Sequence, residues 1–440
     1  MGRPRKGSVP LPPKPPNSGR VTKSSSVSSI DITGGGRKRG RKLSAVFESK
    51  QIKLDFRHSR GHGQVLTLGQ GDTGQLGLGE EIMEKMRPGL VTGIEKAVDA
   101  VAGGMHTAVL DLNGKVWSFG CNDEGSLGRE VAEEEDCFVP GMVELDEKVV
   151  MLSAGDSHTA ALTKSGDVWA WGTFRDSSGP IGLIVPSRIE RKPVEVLKGK
   201  AIIKICSGSD HLVMLSNNGE MWTLGNGEQG QLGRVGEKFA HRGGRRGLKF
   251  LLTADQVRVR SRLGTFKEVW AGSYNTVARM SSGDIVAMGL NNYSQLAIPM
   301  VKGLTFFMPE ISPELSKLKL NSFSIGQHHA VCLDSSGKLH SLGRSEYGRL
   351  GLGRFCTDAN KPQSINNMED CVEVACGTAV SYSVNSSGEC YSWGMGTNGQ
   401  LGTGEEEDVF EPLKMEGKHL QDKKVIVVSS GGQHTVLIAK

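Results

Sequence analysis

Histidines and aspartates beside glycines are the groups in this sequence best suited to chemistry at neutral pH. Imidazoles can act as general bases, metal ligands or buried hydrogen-bonding groups. Five of them stand three residues after a glycine: His106, His158, His211, His329 and His434. Because one position recurs five times, we predict that these rings stabilise repeated units through hydrogen bonds to a neighbouring turn. His328, beside His329, is an additional imidazole that the repeat does not explain.

Three aspartates, Asp72, Asp156 and Asp210, lie in glycine-rich segments at comparable places along the chain. Aspartate side chains often cap turns by accepting hydrogen bonds from the nearby backbone. Binding to basic groups of a partner is the alternative. The residue types alone leave both interpretations open.

The eight cysteines are scattered, and no two of them form a CxxC pair. Paired spacing would indicate a zinc site or a disulfide framework. We therefore expect free thiols in a reducing compartment, with no metal and no cofactor. No run of about 18 apolar residues predicts a membrane span, and the N-terminus lacks the apolar region of a secretory signal.

Glycines mark a repeat that runs through most of the chain. The 440 residues include 60 glycines, roughly twice the usual share of about 7%. Seven anchor glycines are separated by 51 to 64 residues, and a second glycine follows each of the first six anchors by 17 residues. The anchors are Gly103, Gly155, Gly208, Gly272, Gly326, Gly377 and Gly431.

Each repeat has the pattern of a β-hairpin with room for two further strands. In the second unit, the apolar runs 159–162 and 168–172 are joined by a turn that contains Gly166, which is typical of a hairpin. Four-stranded units of this kind form the blades of a β-propeller. We therefore predict an all-β fold over residues 61–440, a seven-bladed propeller with four-stranded blades.

The two ends of the repeat complete each other. The seventh unit stops at Lys440 after its first strands, and the segment 63–69 has the pattern of the strand that is missing. We predict that the last blade is composite, built from N-terminal and C-terminal strands. Such closure removes two exposed sheet edges that would otherwise invite aggregation.

The first interruption of the repeat lies in the second unit. The step from Gly172 to Gly182 is 10 residues, where five other units have 8. We predict an exposed hairpin tip within 173–180, suited to probing a partner. Its candidate contact residues are Phe174, Arg175 and Asp176.

The second interruption is the 64-residue step from Gly208 to Gly272. It holds the sequence Arg-Gly-Gly-Arg-Arg-Gly at 242–247, followed by three more arginines at Arg258, Arg260 and Arg262. This density of arginine on an otherwise acidic body indicates an anionic partner.

Charge is divided between a basic arm and a mildly acidic body. Residues 1–45 hold eleven basic residues and one acid, a net charge of +10, and the remainder carries −5. With six prolines and a serine run, residues 1–60 are predicted to be a disordered tail. The cluster at 37–42 fits a nuclear localisation signal or nucleic-acid contact, and residues 2–6 resemble the core of a minor-groove-binding AT-hook. The basic candidates are Arg3, Arg5, Lys6, Arg37, Lys38, Arg39, Arg41 and Lys42.

Four motifs carry a resemblance to a known family. They are LTLGQGD at 66–72, GCNDEG at 120–125, SAGDSHT at 153–159 and SGGQHT at 430–435. With these motifs the chain resembles the regulator of chromosome condensation family, and the similarity covers every blade and both insertions. The resemblance implies a chromatin-bound propeller that exchanges guanine nucleotide on the small GTPase Ran, with no bond-making chemistry. It also implies a nuclear location and a supply of Ran-GTP for nucleocytoplasmic transport, spindle assembly and nuclear envelope formation.

The resemblance also implies residue roles. One face would engage Ran, with a hairpin wedge formed by Phe174, Arg175 and Asp176. The other exchange residues would be Asp72, Asp156, Asp210, Arg234, His328 and His434. The role of His434 stays open between exchange and blade structure, because this residue also occupies the repeated structural position. The arginine-rich loop would contact histones of the nucleosome through Arg242, Arg245 and Arg246, and the basic arm would bind DNA and importin.

Two other classes of protein remain as alternatives. A chromatin-binding propeller adaptor without exchange activity would keep the arm and the arginine-rich loop without the acidic face. An enzyme with a regulatory propeller, such as a ubiquitin ligase, would need a catalytic domain, and we expect none after the last blade. The presence of Asp72, Asp156, Asp210 and the 173–180 insertion favours the exchange factor.

Overall fold

The computed structural model describes residues 60–440 of the chain. The predictions for the basic arm therefore lie outside the described residues. Within residues 60–440 the strands form seven four-stranded antiparallel sheets and one separate two-stranded hairpin. The predicted all-β propeller is thereby confirmed.

The strands are numbered in chain order. The first blade contains β3 Ala97–Ala102, β4 His106–Asp111, β5 Val116–Gly120 and β6 Gly141–Val143. The second contains β7 Val149–Ala154, β8 His158–Thr163, β9 Val168–Gly172 and β12 Glu190–Leu197, and between the last two lies the hairpin β10 Phe174–Asp176 and β11 Gly179–Gly182. The third contains β13 Ile202–Ser207, β14 His211–Ser216, β15 Met221–Gly225 and β16 Asp255–Gln256. The fourth contains β17 Phe266–Gly272, β18 Asn275–Met280, β19 Ile285–Leu290 and β20 Thr305–Ile311.

The remaining blades follow the same order. The fifth contains β21 Leu320–Ile325, β22 His329–Asp334, β23 Leu339–Gly343 and β24 Ala359–Ser364. The sixth contains β25 Cys371–Cys376, β26 Val380–Asn385, β27 Cys390–Gly394 and β28 Val409–Lys414. The seventh contains β29 Val425–Ser430 and β30 His434–Ala439 from the C-terminus with β1 Gln64–Gln70 and β2 Glu84–Leu90 from the N-terminus.

Helices are few and short in the described part of the chain. The α-helices are α1 Leu248–Leu252 and α2 Pro313–Lys317. The 3-10 helices are Glu134–Phe138, Glu237–Phe239, Gly244–Arg246, Ser261–Leu263, Met300–Lys302 and Glu346–Gly348. None of the helices described is long and apolar enough to cross a membrane.

The first strands of the blades form a closed ring. Each first strand contacts the first strand of the next blade, from β3 through β7, β13, β17, β21 and β25 to β29, and β29 contacts β3 again. The composite blade closes this ring as predicted, because β30 pairs with β1 from Gln64 opposite Ala439 to Gly69 opposite His434.

The middle strands of the blades are rich in apolar and small side chains because they are buried. In β8 every residue is buried, because a blade is covered on both faces by its neighbours, and strands buried on both faces form continuous apolar runs. The turn between β8 and β9 contains Gly166 with φ of +89°, a conformation that glycine adopts at little cost.

Five of the blade junctions are joined by a histidine. In each, the Nε2 atom lies within hydrogen-bonding distance of a hydroxyl oxygen of the next blade, and we call each pair an interblade clasp. The clasps are His106–Thr159 (2.8 Å), His158–Ser207 (3.0 Å), His211–Thr276 (2.9 Å), His329–Ser381 (2.9 Å) and His434–Thr107 (2.8 Å). The predicted stabilising role is thus confirmed, although the partner is a strand hydroxyl instead of a turn.

At the histidine-bearing junctions the anchor glycine makes room for the ring. A Cβ atom at Gly155 would collide with the ring of His158, and Gly103 and His106 repeat the arrangement. Burial lowers the pKa of His158 to about 3, so the ring is neutral at pH 7. Glycine and histidine three residues apart are therefore one structural unit.

Candidate functional site

Most of the predicted site residues meet on one face of the ring. In an antiparallel blade the first and third connections lie at the same end of the sheet, so these connections define a surface that we call the loop face. Its first connections are 103–105, 155–157, 208–210, 273–274, 326–328, 377–379 and 431–433. Its third connections are 71–83, 121–140, 173–189, 226–254, 291–304, 344–358 and 395–408. The predicted exchange residues all lie in these segments except His434, the first residue of β30.

The insertion in the second blade forms a hairpin, β10 with β11, that we call the wedge. It is paired only with itself, and an isolated two-stranded ribbon is marginal in water. Phe174 anchors its base, because the ring is fully buried and lies edge-on to His158 with 4.6 Å between centroids. The prediction that Phe174 belongs to an exposed tip is therefore wrong. The exposed tip is Ser177 and Ser178.

The middle of the wedge rests on Asp210. The backbone N–H of Arg175 donates a hydrogen bond of 2.7 Å to Oδ1 of Asp210. Burial, and after it the charge of Asp156, raise the pKa of Asp210 to about 7, with a smaller contribution from Asp176. Asp210 is therefore a carboxyl group held partly dehydrated beside other acids, as partner-binding and catalytic carboxyls often are.

Asp156 lies on the adjacent connection. Its backbone N–H donates to the carbonyl of Ser209 at 2.8 Å. The residue reaches solvent at the rim, yet the protein around the carboxyl displaces enough water to raise its pKa, an effect opposed by a hydrogen bond from the Ser209 side chain. Asp156 and Asp210 thus form an acidic pair at the base of the wedge.

Asp72 has a different environment. It is exposed and accepts a hydrogen bond of 3.0 Å from Nε2 of Gln75. The donor is a side-chain amide, so this bond differs from the backbone capping that the residue type allowed. The described contacts do not join Asp72 to Asp156 or Asp210, and its part in exchange stays a prediction.

His328 lies in a cluster of aromatic and cationic side chains. Its ring is 5.1 Å from that of Tyr293, and the guanidinium of Arg344 lies 5.0 Å from the same tyrosine ring. Burial lowers the pKa of His328, followed by the charges of Arg349 and Arg344. Among the residues described, Nδ1 of His328 is buried and has no hydrogen-bond partner, and the part of His328 in exchange stays a prediction.

Arg234 is engaged by the backbone. Its guanidinium donates to carbonyl oxygens of Thr223 (3.2 Å), Leu251 (3.2 Å) and Thr253 (2.9 Å). Burial lowers its pKa to about 10, and the group stays charged at pH 7. Because these bonds cap the end of α1, Arg234 stabilises the local backbone of the loop. Its role in exchange stays a prediction.

His434 is fully buried, and the pKa of its ring is lowered by burial to about 4. Nε2 is committed to the clasp with Thr107. The geometry supports the structural interpretation of this residue.

The arginine-rich insertion divides between the two faces. Arg245 and Arg246 are exposed on the loop face, where Arg246 stacks 4.8 Å from the ring of Phe239 and 4.6 Å from that of Phe250. Arg242 pairs with Asp176 of the wedge, Nε to Oδ2 at 2.8 Å. The other arginines, Arg258, Arg260 and Arg262, lie after β16 on the connection at the opposite face.

Comparisons with known proteins identify the family of this chain. The family model described as RCC1-like domain matches residues 64–437. Regulator of chromosome condensation from Mus musculus is 51% identical over 404 residues, covering 90% of this chain and 95% of the mouse protein.

The chain belongs to the regulator of chromosome condensation family.

Two further proteins extend the family's similarity to yeast. Guanine nucleotide exchange factor SRM1 from Saccharomyces cerevisiae is 29% identical, covering 91% of this chain and 93% of the yeast protein. The crystal structure of Prp20p from Saccharomyces cerevisiae, described with its binding properties to Gsp1p and histones, superposes with a TM-score of 0.79 at 29% identity. That match covers 88% of this chain and 92% of Prp20p.

Two acidic residues that contact the wedge escaped the sequence analysis as candidate site residues. Glu124 forms an ion pair with Arg175, and Glu228 accepts hydrogen bonds from Ser177 of the wedge. For Glu228 a signal was present, because an acid stands three residues after the second glycine in four units, whereas Glu124 stands one residue beyond that position. Those acids are Asp72, Asp123, Glu228 and Glu346.

Proposed function

We propose that this chain is a guanine nucleotide exchange factor for the small GTPase Ran and acts while bound to chromatin. The observation that carries the proposal is the wedge, a hairpin outside the blade sheets that lies beside Asp156 and Asp210, two carboxyls whose pKa values their surroundings raise. Family membership and the yeast exchange factor that resembles this chain support it.

The mechanism requires no covalent chemistry. A propeller that binds the nucleotide-free GTPase more tightly than the loaded one lowers nucleotide affinity by the same factor, by linkage. Asp156 and Asp210 are placed to attract basic groups that otherwise hold the phosphates. The wedge is placed to disturb the phosphate loop and the magnesium environment.

Exposed apolar side chains support a protein partner on the loop face. Nine of the fourteen exposed large apolar side chains among residues 60–440 lie there. Concentration on one surface is typical of an interaction site. They are Met83, Met105, Val139, Val185, Met300, Val301, Leu304, Tyr347 and Phe355.

Release of labelled GDP from Ran, with another small GTPase for comparison, tests the exchange proposal. We expect acceleration for Ran only, a loss on the order of tenfold or more in Asp210→Ala, and a loss in a variant without residues 174–181. Asp146→Ala is the matched control, because Asp146 is exposed on the connection 144–148 at the opposite face. Unchanged stimulation in both Asp210→Ala and the deletion variant contradicts the proposal.

The arginine-rich loop is the proposed histone contact, as Prp20p is described with histone binding. Arg245 and Arg246 present guanidinium groups that suit clustered carboxylates through paired charge-assisted bonds, with Arg242 beside them. We expect Arg245→Glu with Arg246→Glu to reduce nucleosome pull-down in low salt, whereas Arg258→Glu on the opposite face does not. Nucleosome binding that survives both the double change and high salt would contradict this part of the proposal.

The arm supplies the remaining proposed partners. Its basic clusters at residues 2–6 and 37–42 are proposed to contact DNA and to bind importin, which would bring the protein to the nucleus. There it would supply Ran-GTP for nucleocytoplasmic transport, spindle assembly and nuclear envelope formation. A chromatin adaptor without exchange activity is the alternative, and the GDP-release assay separates the two.

A further inference from the structure

We infer that the arginine-rich loop positions the wedge, with Arg242 and Glu228 as the positioning residues, so that two insertions distant in sequence form one working unit. The inference rests on the proposed exchange function and adds a role for the loop within it. It follows from two neighbouring contacts that hold the tip of the wedge.

The first contact joins Arg242 to Asp176. Nε of Arg242 lies 2.8 Å from Oδ2 of Asp176, and Nη2 donates to Oδ1 at 3.0 Å. The side chain of Asp176 is only 2% exposed, whereas that of Arg242 is 38% exposed. The pair thus combines one hydrogen bond with a second close ion-pair contact, and both join the loop to the residue that ends β10.

The second contact joins Ser177 to Glu228. The backbone N–H of Ser177 donates to Oε2 of Glu228 at 2.9 Å, and its hydroxyl donates to Oε1 at 2.8 Å. Nδ1 of His241 lies 2.7 Å from the same Oε1. Two consecutive residues of the loop therefore reach two consecutive residues of the wedge. Arg242 contacts Asp176 directly, and His241 reaches Ser177 through Glu228.

The backbone of the loop is shaped for this task. Arg242 has φ of +47°, in the left-handed region that costs an ordinary residue about 1 kcal/mol or more. Gly243 and Gly244, which follow it, also have positive φ. The surrounding contacts must hold such a backbone in place, and the hydrogen bond and ion pair from Arg242 to Asp176 are contacts observed there.

The wedge needs this support. Each of its strands is at most four residues long and pairs only with the other. Phe174 holds the base and Asp210 holds the middle, whereas the tip is held from the loop by Arg242 and Glu228. A tip that is not held in place loses the geometry that a wedge requires, and misplacement by about 1 Å can cost on the order of 100-fold in rate.

The test compares Arg242→Ala, Arg242→Lys and Arg258→Ala in the full-length chain. Arg258 is an exposed arginine of the same insertion on the opposite face, so its variant removes the same charge and leaves the wedge alone. For Arg242→Ala we expect kcat for GDP release from Ran to fall on the order of tenfold to 100-fold, with KM within about twofold. Arg242→Lys should restore part of the loss, because it keeps the charge without the paired geometry.

Amide hydrogen exchange of the free protein supplies a readout that does not depend on Ran. The wedge peptide covering 174–182 should exchange at least about tenfold faster in Arg242→Ala, while peptides of the other blades and the melting temperature stay as in the parent chain. The positioning role is overturned if hydrogen exchange of the wedge is unchanged in Arg242→Ala. It is also overturned if the wild type stimulates GDP release and Arg242→Ala does so with the same kcat. A wild-type protein without stimulation contradicts the proposed function instead, and the hydrogen-exchange result then still decides whether Arg242 holds the wedge.

Discussion

Nε2 of His434 lies 2.8 Å from Oγ1 of Thr107, and this contact joins the composite blade to the first. The Thr107 hydroxyl donates its single proton to the carbonyl of Gln75 at 2.9 Å. Nε2 of His434 must therefore carry a proton and donate it to Thr107. The ring is a neutral donor of fixed tautomer, which is unsuited to proton transfer and well suited to closing the ring of blades.

We expect His434→Ala to destabilise the fold without removing a site group. Loss of the clasp and of the buried ring should lower the free energy of unfolding by about 1–3 kcal/mol, seen as a lower urea midpoint with an unchanged slope. His62→Ala is the control, because His62 is exposed. A loss of exchange rate per folded molecule, with stability unchanged, would instead assign His434 to the site.

Two junctions lack a histidine, and each lacks it for its own reason. At the sixth junction, Val380 occupies the histidine position, and the Tyr382 hydroxyl lies 2.8 Å from Oγ1 of Thr435 in the seventh blade. At the fourth junction, Asn275 occupies the histidine position and donates a hydrogen bond of 2.7 Å to the carbonyl of Leu290 in the same blade. Ala330 occupies the position of the clasp hydroxyl residue in the next blade and has no hydroxyl. The clasp is thus replaced at one junction and lacks both partners at the other.

A new clasp can therefore be installed between the fourth and fifth blades. Asn275→His and Ala330→Thr, made together, supply the ring and the hydroxyl that the other junctions use. We expect each single change to be neutral or destabilising, because one partner alone leaves a buried polar group unsatisfied. The pair should show a favourable coupling free energy of about 0.5–1.5 kcal/mol in a double-mutant cycle of urea unfolding. Additive changes would show that this junction cannot accept the contact.

The fold was predictable because its strongest constraints act on the backbone. An anchor glycine is needed wherever a histidine ring packs against it, as at Gly155 and His158, so the glycine spacing records the blades directly. Tyr382 shows the limit of that record. Its hydroxyl reaches the clasp from two residues beyond the histidine position, and only the packed strands bring it to Thr435.

The candidate site was predictable to a smaller extent. The wedge could be located from the length of the 173–180 insertion. The exposure of Phe174 could not be predicted from its residue type, because a large aromatic ring in an insertion can anchor it as well as contact a partner. Contacts between distant insertions, such as Arg242 with Asp176, leave no periodic trace in one sequence. Arg234 shows the converse, since a charged group in the right segment is occupied by carbonyl oxygens.

Phe174 and Phe355 separate anchoring from partner contact. Phe174 is fully buried and Phe355 is 95% exposed. We expect Phe174→Ala to cost about 3–5 kcal/mol of unfolding free energy, as for other buried phenylalanines, and Phe355→Ala to change it by less than about 0.5 kcal/mol. Chemical denaturation of the two variants is the measurement. Equal costs would contradict the anchored wedge.

Asp210 should link exchange and stability to pH with opposite signs. Its pKa is raised from 3.8 to about 7, so between these values the folded state binds more protons than the unfolded state. Folding stability attributable to this group is therefore greatest below about pH 4 and is lost as pH rises through about 7. The ionised form is the one that can attract a basic group of the GTPase, and exchange should rise as pH passes through about 7.

Asp210→Asn separates the two effects. The amide oxygen can still accept the N–H of Arg175, so the wedge keeps its support while the charge is removed. At pH 8 we expect a gain in unfolding free energy on the order of 1–3 kcal/mol together with a loss of exchange, and the gain should shrink as pH falls and vanish below about pH 4. Asp146→Asn, a change at an exposed acid on the opposite face, should alter neither quantity. If Asp210→Asn has the same stability as the parent at pH 8 and still exchanges nucleotide, the carboxyl is neither strained in the folded state nor needed by the partner.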